Sequence, residues 1–148
     1  MREENPMIRG SCLCGAIRYE ADAQPLAAWC CHCQRCRKAR GSAFAPNLFV
    51  PIDSLRFVAG EEHIRSYKVP EAERFTHVFC EHCGSSLPFR NVARGVAVIP
   101  MGSLDDDPGL APQAHIFVGS KASWHAIRDD LPQYEAYVTA PSPSPSPS

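Results

Sequence analysis

Cys80-Glu81-His82-Cys83-Gly84 is the stretch on which the fold turns. A C-x-x-C-G run is a knuckle: its turn aims two sulfurs and several backbone N–H groups at one ion, and Gly84 permits the tight bend. One knuckle brings two ligands, and a closed structural zinc site needs four. Cys12-Leu13-Cys14 can complete it, because alternate residues of an extended segment point to the same side. The expectation is a four-thiolate zinc on Cys12, Cys14, Cys80 and Cys83 that staples the start of the domain to its middle. Ion binding of this kind is worth on the order of 10 kcal/mol of folding free energy.

The remaining cysteines lie in Cys30-Cys31-His32-Cys33-Gln34-Arg35-Cys36. Cys31 and Cys33 share one side of the chain by alternation, and Cys36 returns to that side across a C-x-x-C turn. Three thiolates then converge on a second zinc and leave one position exchangeable, the arrangement of catalytic zinc. Cys30 is the rival for that fourth position, and filling it would close the site. Its place next to Cys31 sends it to the opposite face, as it does His32, so Cys30 reads as a small buried apolar residue. A disulfide from Cys30 to a distant partner is the remaining alternative.

The rest of the composition frames this. The chain has 148 residues, enough for one domain with a real core, and a formal net charge of -1. That charge gives no global basic field, so nucleic acid and anionic membrane are not expected partners. No apolar run reaches the ~18 residues a membrane span needs. The first ten residues lack the apolar core of a secretion signal, so a reducing compartment, the cytoplasm, is expected, where disulfides are rare.

Short segments broken by Gly and Pro read as a mainly β domain. A knuckle and strand are expected over 11–20, with Ile17 and Tyr19 alternating with polar neighbours, and a strand over 27–31. A helical turn follows over 32–40, ended by Gly41. An extended run over 43–50 carries Pro46 as an expected irregularity. Strands over 55–59 and 64–68 are expected to form a hairpin through Gly60-Glu61-Glu62. Further strands are expected at 75–79, 87–90, 96–100 and 115–118, and one or two helical turns at 124–131. The reading divides the chain into a lead at 1–9, a zinc-binding domain at 10–138 and a Pro-Ser tail at 139–148, extended and solvated.

Taken in order, Gly10-Ser11-Cys12-Leu13-Cys14-Gly15-Ala16-Ile17, Cys31-His32-Cys33-Gln34-Arg35-Cys36-Arg37-Lys38 and Phe79-Cys80-Glu81-His82-Cys83-Gly84-Ser85 resemble the glutathione-dependent formaldehyde-activating enzyme family, which also includes centromere protein V. Later pieces fit as well: Gly102-Ser103-Leu104-Asp105, His115-Ile116-Phe117, Ser120-Lys121 with Trp124, and Leu131-Pro132-Gln133-Tyr134. The resemblance runs from about Gly10 to Tyr134. It implies a zinc-stapled β-tent fold of small antiparallel sheets, and the same two zinc sites. It also implies a carbon–sulfur lyase or synthase activity, the addition of glutathione to formaldehyde to give S-(hydroxymethyl)glutathione, so the expected partners are a small thiol and a small carbonyl.

A zinc with three thiolates is a weak Lewis acid toward carbonyls, yet it lowers the pKa of an incoming thiol. The thiol's tripeptide also brings carboxylates, so cations should line its approach. Arg35, Arg37, Lys38 and Arg40 are the candidates, since arginine matches carboxylates two-pronged. His115 is a candidate proton carrier or substrate contact. Two other readings stay open. In one, both zincs are scaffolding for a binding module; in the other, the middle cysteines are a redox switch.

Overall fold

The computed structural model describes residues 7–73 and 75–138; the Pro-Ser tail and most of the lead lie outside them. The chain is mainly β, in three small sheets with one α-helix and several single 3₁₀ turns. The first sheet has the order β1-β2-β5, with β1 at Met7–Ser11, β2 at Arg18–Asp22 and β5 at Leu55–Ala59. The second, five-stranded, has the order β10-β3-β4-β9-β8: Ala114–Ile116, Ala27–Cys31, Ala45–Pro51, Val96–Pro100 and Phe89–Asn91. The third pairs β6, Ile64–Lys68, with β7, Thr76–Cys80. All pairs are antiparallel except β10 with β3.

Alternation sets which side chains are buried. In β1 Ile8 and Gly10 face in, and in β2 Tyr19 and Ala21 do. Together with Leu48 and Val50 of β4, Ala97 and Ile99 of β9, Ala28 and Leu55 they form the main core between the first two sheets. Burying a Leu or Ile there stabilises by about 1.5–3 kcal/mol each. Tyr19 brings a hydroxyl into this core, 2.5 Å from Ser103 Oγ, whose own hydroxyl donates to the Pro100 carbonyl at 2.7 Å. Burial pushes the Tyr19 phenol well above its usual range.

Three expectations are corrected. The strands over 55–59 and 64–68 both form, but not as a hairpin: β5 pairs with β2 and β6 with β7. A 3₁₀ turn at Glu61–His63 redirects the chain between sheets. Residues 124–131 form turns and irregular backbone rather than a helix. Pro46 interrupts nothing, because it pairs only with Cys30 of β3; the β4–β9 ladder begins one residue later, at Asn47. Its missing N–H is therefore not demanded by a second neighbour.

The helix α1, Gln34–Arg40, follows β3 directly. Gly41 closes it in the left-handed conformation, its N–H donating to the Arg37 carbonyl at 2.7 Å.

Candidate metal centres

The turn after β1 and the turn after β7 bring four sulfurs together. Sγ of Cys12, Cys14, Cys80 and Cys83 all lie within 4.8 Å of one another. Cys12 and Cys14 are 3.6 Å apart, and Cys14 and Cys80 3.9 Å. A tetrahedral zinc with bonds of about 2.3 Å sets its sulfurs about 3.8 Å apart. Backbone N–H groups are already aimed at the sulfurs: Ile17 to Cys12 at 3.3 Å, Cys14 to Cys83 at 3.4 Å and His82 to Cys80 at 3.3 Å. The Ser85 hydroxyl lies 3.2 Å from Cys83 Sγ and helps hold that thiol down at about 5. Gly84, at φ 77°, makes the turn its position demands. Ile17, Leu87, Val78 and Phe57 close over the cluster, so it doubles as a second small core.

The second group is Sγ of Cys31, Cys33 and Cys36, also mutually within 4.8 Å. Cys31 is the last residue of β3, Cys33 is the N-cap of α1, and Cys36 lies in the first helical turn. Cys33 Sγ accepts hydrogen bonds from the Cys31 and Cys36 thiols and from backbone N–H groups of Cys36 and Arg35, which holds it down at about 2. As donors in those contacts, Cys31 is pushed up to about 12 and Cys36 far above the thiol range. Thiolates this close together repel one another. Three thiolates coexist there only around a cation, which is what the donor set is suited to hold, and soft thiolates favour zinc over hard ions.

Among the described residues no fourth His, Cys, Asp or Glu ligand atom joins this group. Cys30 is buried in β3, in register with Pro46 on one side and His115 on the other, and burial pushes its thiol up to about 11. Cys31 and Cys36 are buried while Cys33 is partly exposed.

Of the expected cations, Arg35 and Lys38 are exposed on α1. Arg37 Nε turns back to the His32 carbonyl at 3.4 Å. Arg40, partly buried, shares the wall of a recess with Cys36 and donates to Asn47 Oδ1 at 2.8 Å. The signal was present in the sequence, since Arg40 follows Cys36 by four residues and so shares its helical face. A recess of about 50 Å³ opens beside Cys36, with Arg40, Asn47, Phe75 and His77 in its wall. The larger groove, lined by Phe57, Ile64, Val78 and Phe89 among others, includes none of the cysteines.

His115 is buried in β10, and its ring links two others. Its Nε2 is 3.1 Å from both carboxylate oxygens of Asp129, and its Nδ1 is 2.9 Å from His32 Nε2. A carboxylate only accepts, so His115 carries its proton on Nε2 and accepts at Nδ1 from His32 Nε2–H. His32 Nδ1 is then a bare acceptor, buried and without a hydrogen-bond partner among the described residues. Desolvation, with the neighbouring His115, holds the His32 imidazole down at about 4. Phe44 and His125 pack against the His32 ring at 5.1 and 6.0 Å. His32 and Asp129 were invisible as partners of His115, because the contacts join residues 83 and 14 apart.

The family model for "Glutathione-dependent formaldehyde-activating enzyme" matches residues 7–120, most of the chain and all eight cysteines. The chain belongs to the glutathione-dependent formaldehyde-activating enzyme family. A crystal structure of a Rhodobacter sphaeroides protein, from structural genomics, is similar to it at 28% identity with a TM-score of 0.55, over 67% of this chain and 89% of that one. As a member of the formaldehyde-activating family it has two cysteine groups that could hold zinc. Among its described residues no helix is long and apolar enough to cross a membrane.

Proposed function

We propose that this chain is a two-zinc enzyme of the carbon–sulfur lyase class that joins a small thiol of the glutathione type to formaldehyde or a related small carbonyl, or runs the reverse. The observation that carries the reading is the group of Cys31, Cys33 and Cys36, three sulfurs that share a metal-sized space with no fourth protein donor among the described residues. Family membership supplies the substrate class.

In this reading Cys12, Cys14, Cys80 and Cys83 hold a structural zinc, and Cys31, Cys33 and Cys36 hold the working one. Zinc held by the three sulfurs supplies one thing: it lowers the pKa of an incoming thiol so that the thiol arrives as a nucleophilic thiolate. The chain does the rest. Cys33, the partly exposed member, marks the side of approach. Three thiolates and a fourth sulfur concentrate negative charge, and Arg40 offsets it from the Cys36 side. The substrate sulfur attacks the carbonyl carbon; a C–S bond forms, the C=O π bond opens, and the oxygen takes up the proton the thiol gave away. The recess beside Cys36 is small, about 50 Å³. It suits formaldehyde better than a bulky aldehyde. Arg35, Arg37 and Lys38 lie on the same short helix and are the candidates for the carboxylates of the thiol substrate, while the buried His115 orders the His32 ring rather than meeting substrate directly. Thiolate ligands must stay reduced, which fits a cytoplasmic protein.

The test is the rate of adduct formation from glutathione and formaldehyde against the spontaneous rate, with zinc content measured on the same sample. Acceleration that disappears in Cys31→Ala supports the reading. A fully zinc-loaded protein that does not accelerate the reaction in either direction overturns it.

A further inference from the structure

A third group of ligating atoms, more exposed than the four-cysteine group, lies on the same turn. Glu81 and His82 are the two residues between Cys80 and Cys83, and His63 ends the 3₁₀ turn before β6. The backbone fixes them against one another. Ile64 pairs with Cys80, and the Glu81 N–H donates to the His63 carbonyl at 2.9 Å. Three ligand atoms converge: His63 Nδ1 is 2.7 Å from Glu81 Oε2 and 3.1 Å from His82 Nε2, and His82 Nε2 is 4.0 Å from Glu81 Oε2. Bonds of about 2.0–2.1 Å in a tetrahedral zinc set nitrogen and oxygen donors about 3.3 Å apart, and these separations bracket that.

With a neutral His63, hydrogen bonding leaves one of these contacts unmatched. His63 Nδ1 has one in-plane position, which holds either a proton or a lone pair. A proton there satisfies Glu81 and must be shared with His82. A lone pair there accepts from His82 but then faces the carboxylate oxygen at 2.7 Å. A single cation satisfies all three lone pairs at once. The flanking groups already hold the ligands as a metal site does. Glu62 Oε2 is 3.5 Å from His63 Nε2, the other ring nitrogen, and would take that nitrogen's proton once Nδ1 gives its lone pair to a cation. Arg65 Nη2 binds the other oxygen of Glu81, Oε1, at 2.6 Å and leaves Oε2 to the convergence point.

We propose that His63, Glu81 and His82 form a third metal site, exposed and exchangeable, for a borderline divalent transition ion such as zinc. Two imidazoles and one carboxylate suit zinc, nickel or copper rather than calcium or magnesium. The side chains are about 30–50% exposed, so water completes the coordination. The ion is held far less tightly than one among four thiolates, and it sits on the turn that carries Cys80 and Cys83. The proposal uses no cysteine and is independent of the reaction assigned to Cys31, Cys33 and Cys36.

The experiment is calorimetric titration of the purified, zinc-loaded full chain with Zn²⁺, with imidazole NMR signals followed in parallel. The expected result is one further equivalent, weaker than the tightly held zinc, with ring shifts at His63 and His82 and none at His115. His63→Ala and His82→Ala should each weaken this equivalent at least tenfold and leave the tightly held zinc in place. The proposal is overturned if the wild-type chain takes up no further equivalent. It is equally overturned if the equivalent persists undiminished in the double variant, or if the His63 and His82 rings do not respond to Zn²⁺. The ring signals are read on the unsubstituted chain, so the test stands even if a variant fails to fold.

Discussion

Cys33 Sγ accepts the backbone N–H of Cys36, 3.3 Å away, so one sulfur both caps α1 and belongs to the three-sulfur group. Ser is a good N-cap but a poor soft ligand, which separates the two roles. Cys33→Ser is expected to keep the helix and weaken zinc at the group. Cys33→Ala should lose the zinc and also about 1 kcal/mol of stability, compared by urea unfolding of the two variants with the four-cysteine site loaded. Equal stability of the two variants would show that the cap contributes nothing.

His115 gives the His32 Nε2–H its acceptor in a buried place. His115→Phe should therefore cost about 1–3 kcal/mol, the penalty for a buried donor left without a partner. Asp129→Asn should cost less, because Asp129 is half-exposed and water can replace it. Denaturant unfolding of the two variants checks the order, and the reverse order would contradict the arrangement of protons described above.

Arg40 is expected to matter more to activity than Arg35 or Lys38, which sit on the exposed side of α1. Arg40→Gln should lower kcat/KM by about tenfold or more with zinc content unchanged, and Arg40→Lys should recover part of it, since the charge is restored. Arg35→Gln and Lys38→Gln should act chiefly on KM for the thiol substrate. A loss of zinc in Arg40→Gln would assign the residue to holding the site together instead.

The His77 imidazole is held below its ordinary value of 6.5, by desolvation first and then by the Arg40 charge. The folded form resists the proton that the unfolded chain accepts below about pH 6.5. The unfolded state therefore binds more protons, and stability falls as pH drops through that value until the folded form protonates too. His77→Gln removes this contribution. Its stability, measured at matched zinc saturation, should decline less than wild type between about pH 8 and pH 5. Parallel curves would contradict it.

Much of the grouping of the cysteines was legible because their spacing is local. The Cys80–Cys83 turn and the Cys31–Cys33–Cys36 run needed only alternation and a tight bend to bring their sulfurs together. Most strands were legible for the same reason, as in Val96–Pro100, but β1 at Met7–Ser11 was not, its first residues reading as lead. Partner choice was not. Gly60-Glu61-Glu62 has hairpin chemistry, yet β5 is drawn to β2 because that places Leu55 in the main core. Residues 124–131 read as helical, but side chains from outside the segment hold its backbone and carboxylate. Lys121 Nζ donates to the His125 carbonyl at 2.5 Å, and Asp129 is taken up by His115. The convergence of His63 on Glu81 and His82 was hidden as well, since it depends on the β6–β7 register rather than on any motif.

Cadmium NMR of the cadmium-substituted protein, recorded before and after glutathione is added, addresses the thiol-accepting corner directly. Two thiolate-bound signals are expected. One, from Cys12, Cys14, Cys80 and Cys83, should stay where it is; the other should move as a fourth sulfur arrives, and Cys36→Ala should abolish it while sparing the first. Two signals that both ignore glutathione, or a moving signal that survives Cys36→Ala, would contradict the account.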